Sequence, residues 1–344
     1  GQYFNPLVPL YLFPRGEDME KYKLYERYNV ERGFKTQWWP YGPLGLSIQN
    51  PYWIVNRNIN QVDKERYILG ATLKYKVLDW LDILGRARMD NNAAVNEIRN
   101  YASTLPLLAS NSDNGSYLDL TTRSKQTYAD VLVSVNKSFH SWGLLANAGA
   151  SILDNRVATT GNADVLSNGA PLSKVPNLFT SSNVIPQPLS GSQSIITQVQ
   201  SIYATAQFNY KKKVFLDLTG RNEWPSQLAY SNTSSLFYPS VGLSAVISDM
   251  VHVSPDVLSF LKIRGSYSEV GNPPAAFDAR PGYTTTVAGP RLNRDLPFNL
   301  VPERTKSTEV GINASFWKDK INLAVTAYNA NTYNQIFVFQ APDG

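Results

Sequence analysis

Residues able to do chemistry are few and scattered in this chain. It holds two histidines, His140 and His252, and no cysteine. The sequence places no partner for either imidazole, so both read as surface residues. Without cysteine, thiol catalysis, zinc ribbons and disulfide frameworks are excluded. No Gly-rich phosphate loop, nucleophile elbow or metal-binding helix motif occurs. The sequence therefore predicts no enzyme, no catalytic residue, no cofactor and no metal. Asn111-Ser112-Asp113-Asn114-Gly115-Ser116 has the oxygen-rich character of a calcium loop but lacks the bidentate acid, and reads as a loop tip. Lys211-Lys212-Lys213 could attract phosphate, yet at a short turn it reads as a rim meeting lipid headgroups. One set remains that suits a ligand: the loop aromatics Trp38, Trp39, Tyr41, Tyr52 and Trp53. Flat π faces accept sugar rings and peptide side chains alike. The same rings could equally fold the loop onto a rim or pack on a partner.

Whatever positions those rings must be β-structure, because the dominant signal is alternation with period two. From Arg66 to Val77 one face reads Tyr67, Leu69, Ala71, Leu73, Tyr75, Val77, and the other is polar apart from Ile68. A turn follows, and Leu81, Ile83, Gly85, Ala87, Met89 then alternate with Asp82, Leu84, Arg86, Arg88, Asp90. Four further hairpins repeat the pattern, pairing the regions of Ala129–Val135 with Leu144–Ile152, Ile202–Tyr210 with Val214–Leu218, Val241–Ile247 with Leu261–Tyr267, and Val310–Phe316 with Ile321–Ala327. A short strand is also expected near Ile336–Phe339. The arms read as about 10–12 residues, near the ~9–11 with which a tilted strand crosses a bilayer. Connections alternate between short turns and long polar loops, the latter over 91–125, 153–198, 222–236 and 270–304. Sorting short turns to one rim and long loops to the other is the habit of outer-membrane barrels.

Side-chain chemistry agrees. Aromatics meet the short turns at Tyr75 and Trp80, Phe139 and Trp142, Tyr210 and Phe215, and Phe316 and Trp317, as an interfacial girdle would. The face opposite the apolar one carries Arg86, Arg88, Asp130, Asp217, Arg221, Arg264 and Glu309, which suits a watery interior. Charged residues make up 17% of the chain, against about 25% in a typical soluble domain. Its net charge of +5 reads as a mildly basic surface, so no nucleic-acid partner is expected. No apolar run is long enough for a membrane-crossing helix, and the N-terminus has no secretory-signal pattern.

Several stretches, in order, resemble the barrel portion of SusC/RagA-type TonB-dependent outer-membrane transporters. They are Asn50-Pro51-Tyr52-Trp53 with Asn58 and Arg66, Asp79-Trp80-Leu81 with Arg86 and Asp90, and Tyr203-Ala204-Thr205-Ala206 leading to Tyr210 and Arg221. Phe237-Tyr238-Pro239-Ser240 follows, then Leu261 to Tyr267 with Gly271-Asn272, and Pro302-Glu303-Arg304-Thr305 with Glu309 and Gly311. Asn222-Glu223-Trp224-Pro225-Ser226 departs from the family, which often places Asp and a Ser pair there. The stretch from Phe13-Pro14-Arg15-Gly16 through Trp38-Trp39 is similar to a loop that precedes Asn-Pro-Tyr-Trp in the family.

The resemblance implies an all-β fold: antiparallel transmembrane strands, part of a 22-strand TonB-dependent barrel with a plug absent from this chain. The expected organisation is an extracellular loop region with the approach to the first strand over 1–65, and barrel strands over 66–344 of an incomplete barrel. The chain is then expected to be the middle of a longer one. The implied function is TonB-dependent import of oligosaccharides or oligopeptides in the bacterial outer membrane. Implied partners are a SusD/RagB-like surface lipoprotein, TonB through the absent N-terminal part, and outer-membrane lipid. A passive porin-like channel and a soluble adhesive or structural β-protein are the alternatives.

Overall fold

The computed structural model describes residues 5–41, 49–105, 113–164, 173–184, 190–229, 231, 233–251, 253–254, 256–276, 282–286, 289–294 and 301–336. Short helices α1 (Leu7–Tyr11) and α2 (Pro51–Arg57) flank a small hairpin of β1 (Glu26–Asn29) and β2 (Phe34–Gln37). The long strands follow: β3 (Asn58–Leu78), β4 (Leu81–Asn100), β5 (Ser116–Phe139), β6 (Trp142–Asp164), β7 (Ser190–Tyr210), β8 (Val214–Pro225), β9 (Leu236–Val246) and β10 (Leu258–Asn272). A second small hairpin, β11 (Gly282–Thr286) and β12 (Gly289–Arg294), precedes β13 (Glu303–Phe316) and β14 (Ile321–Tyr333). Ten strands form one antiparallel sheet in the order β14-β13-β10-β9-β8-β7-β6-β5-β4-β3, so each neighbour in sequence is a neighbour in space once β11–β12 is set aside.

All five hairpins read from the alternation are present. Their turns are tight at residues 79–80, 140–141, 211–213 and 317–320, while 247–257 is longer. Left-handed backbone at His140, Lys211, Lys212, Trp317, Lys318 and Asp319 turns the chain back within these few residues.

The strands are longer than the alternation suggested. β5 has 24 residues and β6 has 23, about twice the expected arm. Much of what read as loop at 91–125 and 153–198 is therefore strand, since β4 continues to Asn100 and β5 begins at Ser116. The reason is physical. Alternation of apolar with polar side chains needs one oily surface, whereas ladder hydrogen bonds need none. Where Asn91, Asn92, Thr121 and Thr122 occupy both faces, the ladder runs on without an apolar signal. The short strand expected at 336–339 lies almost wholly outside the described residues, as do His252 and the first two residues of the Asn111–Ser116 stretch.

The chain divides into two compact units. One comprises Gly1–Tyr67, Asn91–Lys125 and Arg156–Ile195; the other comprises Ile68–Asp90, Gln126–Asn155 and Ile196–Gly344. In the second unit the apolar face is bare: Leu73, Val131, Ile202, Leu243, Val310 and Val325 are all exposed. A face of that kind has no protein core to cover it, and hydrocarbon is the medium that tolerates it. The first unit is packed conventionally, with Leu118 and Leu120 against Ile98. Gly115 closes the turn before β5 at φ +81°, where a Cβ would lie 2.1 Å from the Asn100 carbonyl oxygen, so no other residue fits.

Candidate functional site

The expected aromatic set lies in the first unit, and the sequence fixes how it is held. Asn50 precedes Pro51, which opens α2; the Asn50 side chain accepts a hydrogen bond from the Tyr52 amide at 2.9 Å as its N-cap. The Asn50 amide nitrogen donates to the carbonyls of Tyr22 at 2.9 Å and Trp38 at 3.2 Å. One fully buried side chain thus ties the helix start to both the Tyr22 segment and the end of β2. Gln37 reinforces the joint, its side-chain oxygen accepting from the Asn50 backbone amide at 2.7 Å and its own backbone amide donating to the Ser103 hydroxyl at 2.8 Å.

Around that node the rings gather. Trp38 stacks on Tyr22 with centroids 5.0 Å apart and a 19° interplanar angle. The Arg27 guanidinium lies 3.5 Å over the same Trp38 ring. A guanidinium that close and a stacked ring cannot share one face, so both faces of Trp38 are covered. Trp39 stacks on Phe13 at 6.0 Å and meets Tyr41 edge-on at 5.3 Å, and Tyr22 and Tyr41 share a hydroxyl hydrogen bond of 3.2 Å. The Trp39 indole nitrogen is buried without an acceptor among the described residues. The Tyr22 hydroxyl is pushed up to about 12, chiefly by its bond with Tyr41 and then by burial.

Trp38, Trp39 and Tyr41 are therefore brought together, joined by Phe13 and Tyr22. Trp53 is set apart from them: it is 1% exposed, packs edge-on against Tyr25 and donates from Nε1 to the Thr104 hydroxyl at 3.1 Å. Tyr52 is half-buried on α2 and makes none of the ring pairs described for the cluster. Phe13 and Tyr22 were not legible as members, because Phe13 lies in a bend and Tyr22 in a short 3-10 helix, neither of which leaves a readable period. Asn50 stood in the family-like Asn50-Pro51-Tyr52-Trp53 stretch, but its cap and its carbonyl bonds were not read from it.

An ion pair locks the hairpin beneath. Glu26 accepts from Arg57 at 2.8 Å and from Lys35 at 3.1 Å. Burial alone would raise the Glu26 carboxyl, but these two cations outweigh it and hold it below the usual carboxylate range.

The second unit carries the polar face expected of a watery interior, and several of its charges are paired. Asp130, with its carboxylate shielded from solvent, receives Arg86 through two guanidinium nitrogens, Tyr128 at 3.0 Å and Tyr203 at 3.2 Å. Gln207 donates to Asp217 at 2.6 Å, and Glu269 takes Arg304 at 2.8 Å and Tyr333 at 2.6 Å. No group of carboxylates or histidines among the described residues could hold a metal ion.

A sheet with one bare apolar face, one face of paired charges, and tight turns gathered at the aromatics is the sheet of a transmembrane β-barrel. The chain belongs to the TonB dependent receptor-like, beta-barrel family, whose model matches residues 13–344. That family resides in the outer membrane. Among solved structures the chain is similar to the RagAB peptide transporter, at 15% identity and a TM-score of 0.71 over 89% of this chain and 34% of that one. The RagAB peptide importer in its open-open state gives a TM-score of 0.69 at 17% identity, over 89% of this chain and 33% of that chain. This chain thus spans about a third of those relatives, and at such identity the likeness speaks for fold alone. No curated protein matches.

Proposed function

We infer that the chain forms part of an active importer, taking up oligopeptides or oligosaccharides too large for passive channels. The observation that supports this best is the two-faced sheet within a TonB-dependent receptor family match over 13–344. In this reading the loop region over 1–65 lies outside the cell, 66–344 supplies barrel strands, and TonB drives the cycle through a plug elsewhere in the protein. A surface lipoprotein partner is part of the proposal, supported by the two-component name of the fold neighbours. The ring cluster offers a ligand the edges of Trp38, Trp39 and Tyr41, since their faces are largely spent on one another. Ring edges suit a peptide side chain at least as well as a sugar, and the neighbours' peptide transport points the same way.

The test is native purification from outer membranes in detergent, with mass analysis, alongside uptake of labelled oligopeptides and oligosaccharides by a deletion strain. A parent band far above 38.4 kDa, a co-purifying lipoprotein and lost uptake are the expected results. A single heat-modifiable band at 38.4 kDa with unchanged uptake would overturn the importer and leave a small passive barrel.

A further inference from the structure

One feature of the second unit has no part in import. On the apolar face a groove of about 620 Å³ crosses β5 to β10, lined by Val133, Ala148, Ala206, Leu218, Val241 and Tyr267 among others. The tight turns of the same strands carry cations at one level. Lys137 on β5 holds its ammonium 4.7 Å over Trp80 and 5.1 Å over Phe139. Lys211, in the β7–β8 turn, sits 5.4 Å over Tyr210, and Tyr210 meets Trp142 of β6 at 4.8 Å. Neither Lys211 nor Lys212 has a carboxylate partner among the described residues, whereas Lys213 donates to the Asp249 carbonyl. Lys137 is thus engaged on the Trp80 side of β5, while Lys211 and Lys212 are adjacent in one turn beside the Tyr210–Trp142 pair, where two neighbouring amines can converge on one phosphate.

Depth agrees with this level. From Tyr210 to Ala204 along β7 is six residues, about 20 Å of strand. At a tilt of about 45° that rises roughly 14 Å along the membrane normal, close to half of the ~30 Å hydrocarbon core. The groove therefore occupies the leaflet whose headgroups meet the lysines and rings.

We propose that this face is a seat for one anionic phospholipid of the leaflet on the short-turn side, its phosphate held by Lys211–Lys212 beside Trp142, its acyl chains in the groove. The choice of occupant follows from charge and shape together. Two amines without carboxylate partners among the described residues select a negative headgroup at the aromatic level, and an apolar groove deeper in the same leaflet selects attached hydrocarbon. A second copy of the chain would bring its own lysines against these. The seat rests on the membrane reading but not on active import.

The test uses the full-length protein extracted from outer membranes, delipidated and titrated in mixed micelles with phosphatidylglycerol or phosphatidylcholine, with bound lipid counted by native mass spectrometry. One tightly held phosphatidylglycerol is expected, with phosphatidylcholine displaced. Lys211→Asn with Lys212→Asn keeps residues that tolerate the left-handed backbone at φ +52° and +55°. This pair should weaken phosphatidylglycerol about 25-fold, at about fivefold per lysine, and Lys211→Arg with Lys212→Arg should restore it. Ala206→Trp, which fills the groove and leaves the lysines, should release the lipid as well. Heat-modifiable migration reports separately that each variant remains a folded barrel. Equal affinity for both lipids, unchanged binding in the Asn pair, or self-association of the delipidated protein through this face would overturn the proposal.

Discussion

Asn50→Ala isolates the joint that holds the ring cluster. The change removes two donations, to the carbonyls of Tyr22 and Trp38, and the cap on the Tyr52 amide. A net of about 1 kcal/mol for each carbonyl bond and about 1 kcal/mol for the cap gives roughly 3 kcal/mol. If the loss is local, opening of α2 and the end of β2 becomes about a hundredfold more frequent. Hydrogen exchange on the purified protein reads this at the Ile54 amide, bonded to the Asn50 carbonyl at 3.0 Å, and at the Trp38 amide, bonded to the Tyr25 carbonyl at 2.8 Å. Amides of β10 such as Ile263 serve as the control and should not change. Asn50→Asp sharpens the test, since Asp caps helices as well as Asn does. Here it would aim a carboxylate oxygen at two carbonyl oxygens in a site with no solvent, so it should open the region more than Ala. A rise below tenfold at Ile54, a matching rise at Ile263, or an Asp variant as stable as the parent would refute the joint.

Three shorter predictions concern the same unit. Trp53→Phe removes the indole bond to Thr104, whose hydroxyl still receives Asn58 at 2.8 Å, and should cost about 1–3 kcal/mol in local exchange at α2; lost uptake with unchanged exchange would instead make Trp53 a ligand contact. Gly115→Ala meets the Asn100 carbonyl and a left-handed backbone, and should destabilise the β4–β5 connection by about 3 kcal/mol or more, measured as faster proteolysis between residues 100 and 116. The lowered Glu26 carboxyl stabilises the β1–β2 hairpin above its unfolded pKa of about 4.3, and that support fades as pH falls through the lower folded value. Protection of the β1–β2 amides relative to their intrinsic exchange rates should therefore fall on acidification below about pH 4.3, and Glu26→Gln should flatten that dependence.

The barrel strands were legible because a bilayer imposes one apolar face, and Tyr67 to Val77 or Val310 to Phe316 write that face directly as alternation. The upper reaches of β4 to β7 were not, because Asn91, Asn92 and Thr122 satisfy a ladder without meeting lipid. The polar face was readable as a list, Arg86 and Asp130 among it. Their bond was not readable, since it joins β4 to β5 across a register that no single strand states. In the loop region the residue types pointed to rings, but the partition between Trp39 in the cluster and Trp53 in the packing depends on chain paths through Phe13, Tyr22 and Thr104. Those contacts are long-range, and neither spacing nor propensity encodes them.

The edges of the sheet carry a last consequence. Among the described residues β3 and β14 each pair on one side only, and β14, with 13 residues, is exposed along both faces nearly throughout. About half of its residues direct an N–H and a C=O away from β13, roughly six pairs of groups in all. In hydrocarbon each unsatisfied group costs several kcal/mol, so this edge alone would cost tens of kcal/mol against a net stability of about 5–15 kcal/mol for a typical protein. Paired charges on the inner face, such as Asp130 with Arg86, cannot compensate, because they are already satisfied. Residues 1–344 produced alone and refolded into detergent should therefore give no heat-modifiable monomer, while the full-length protein should. A folded, heat-modifiable monomer of 38.4 kDa would show that β3 and β14 find each other, and the argument from unpaired edges would be wrong.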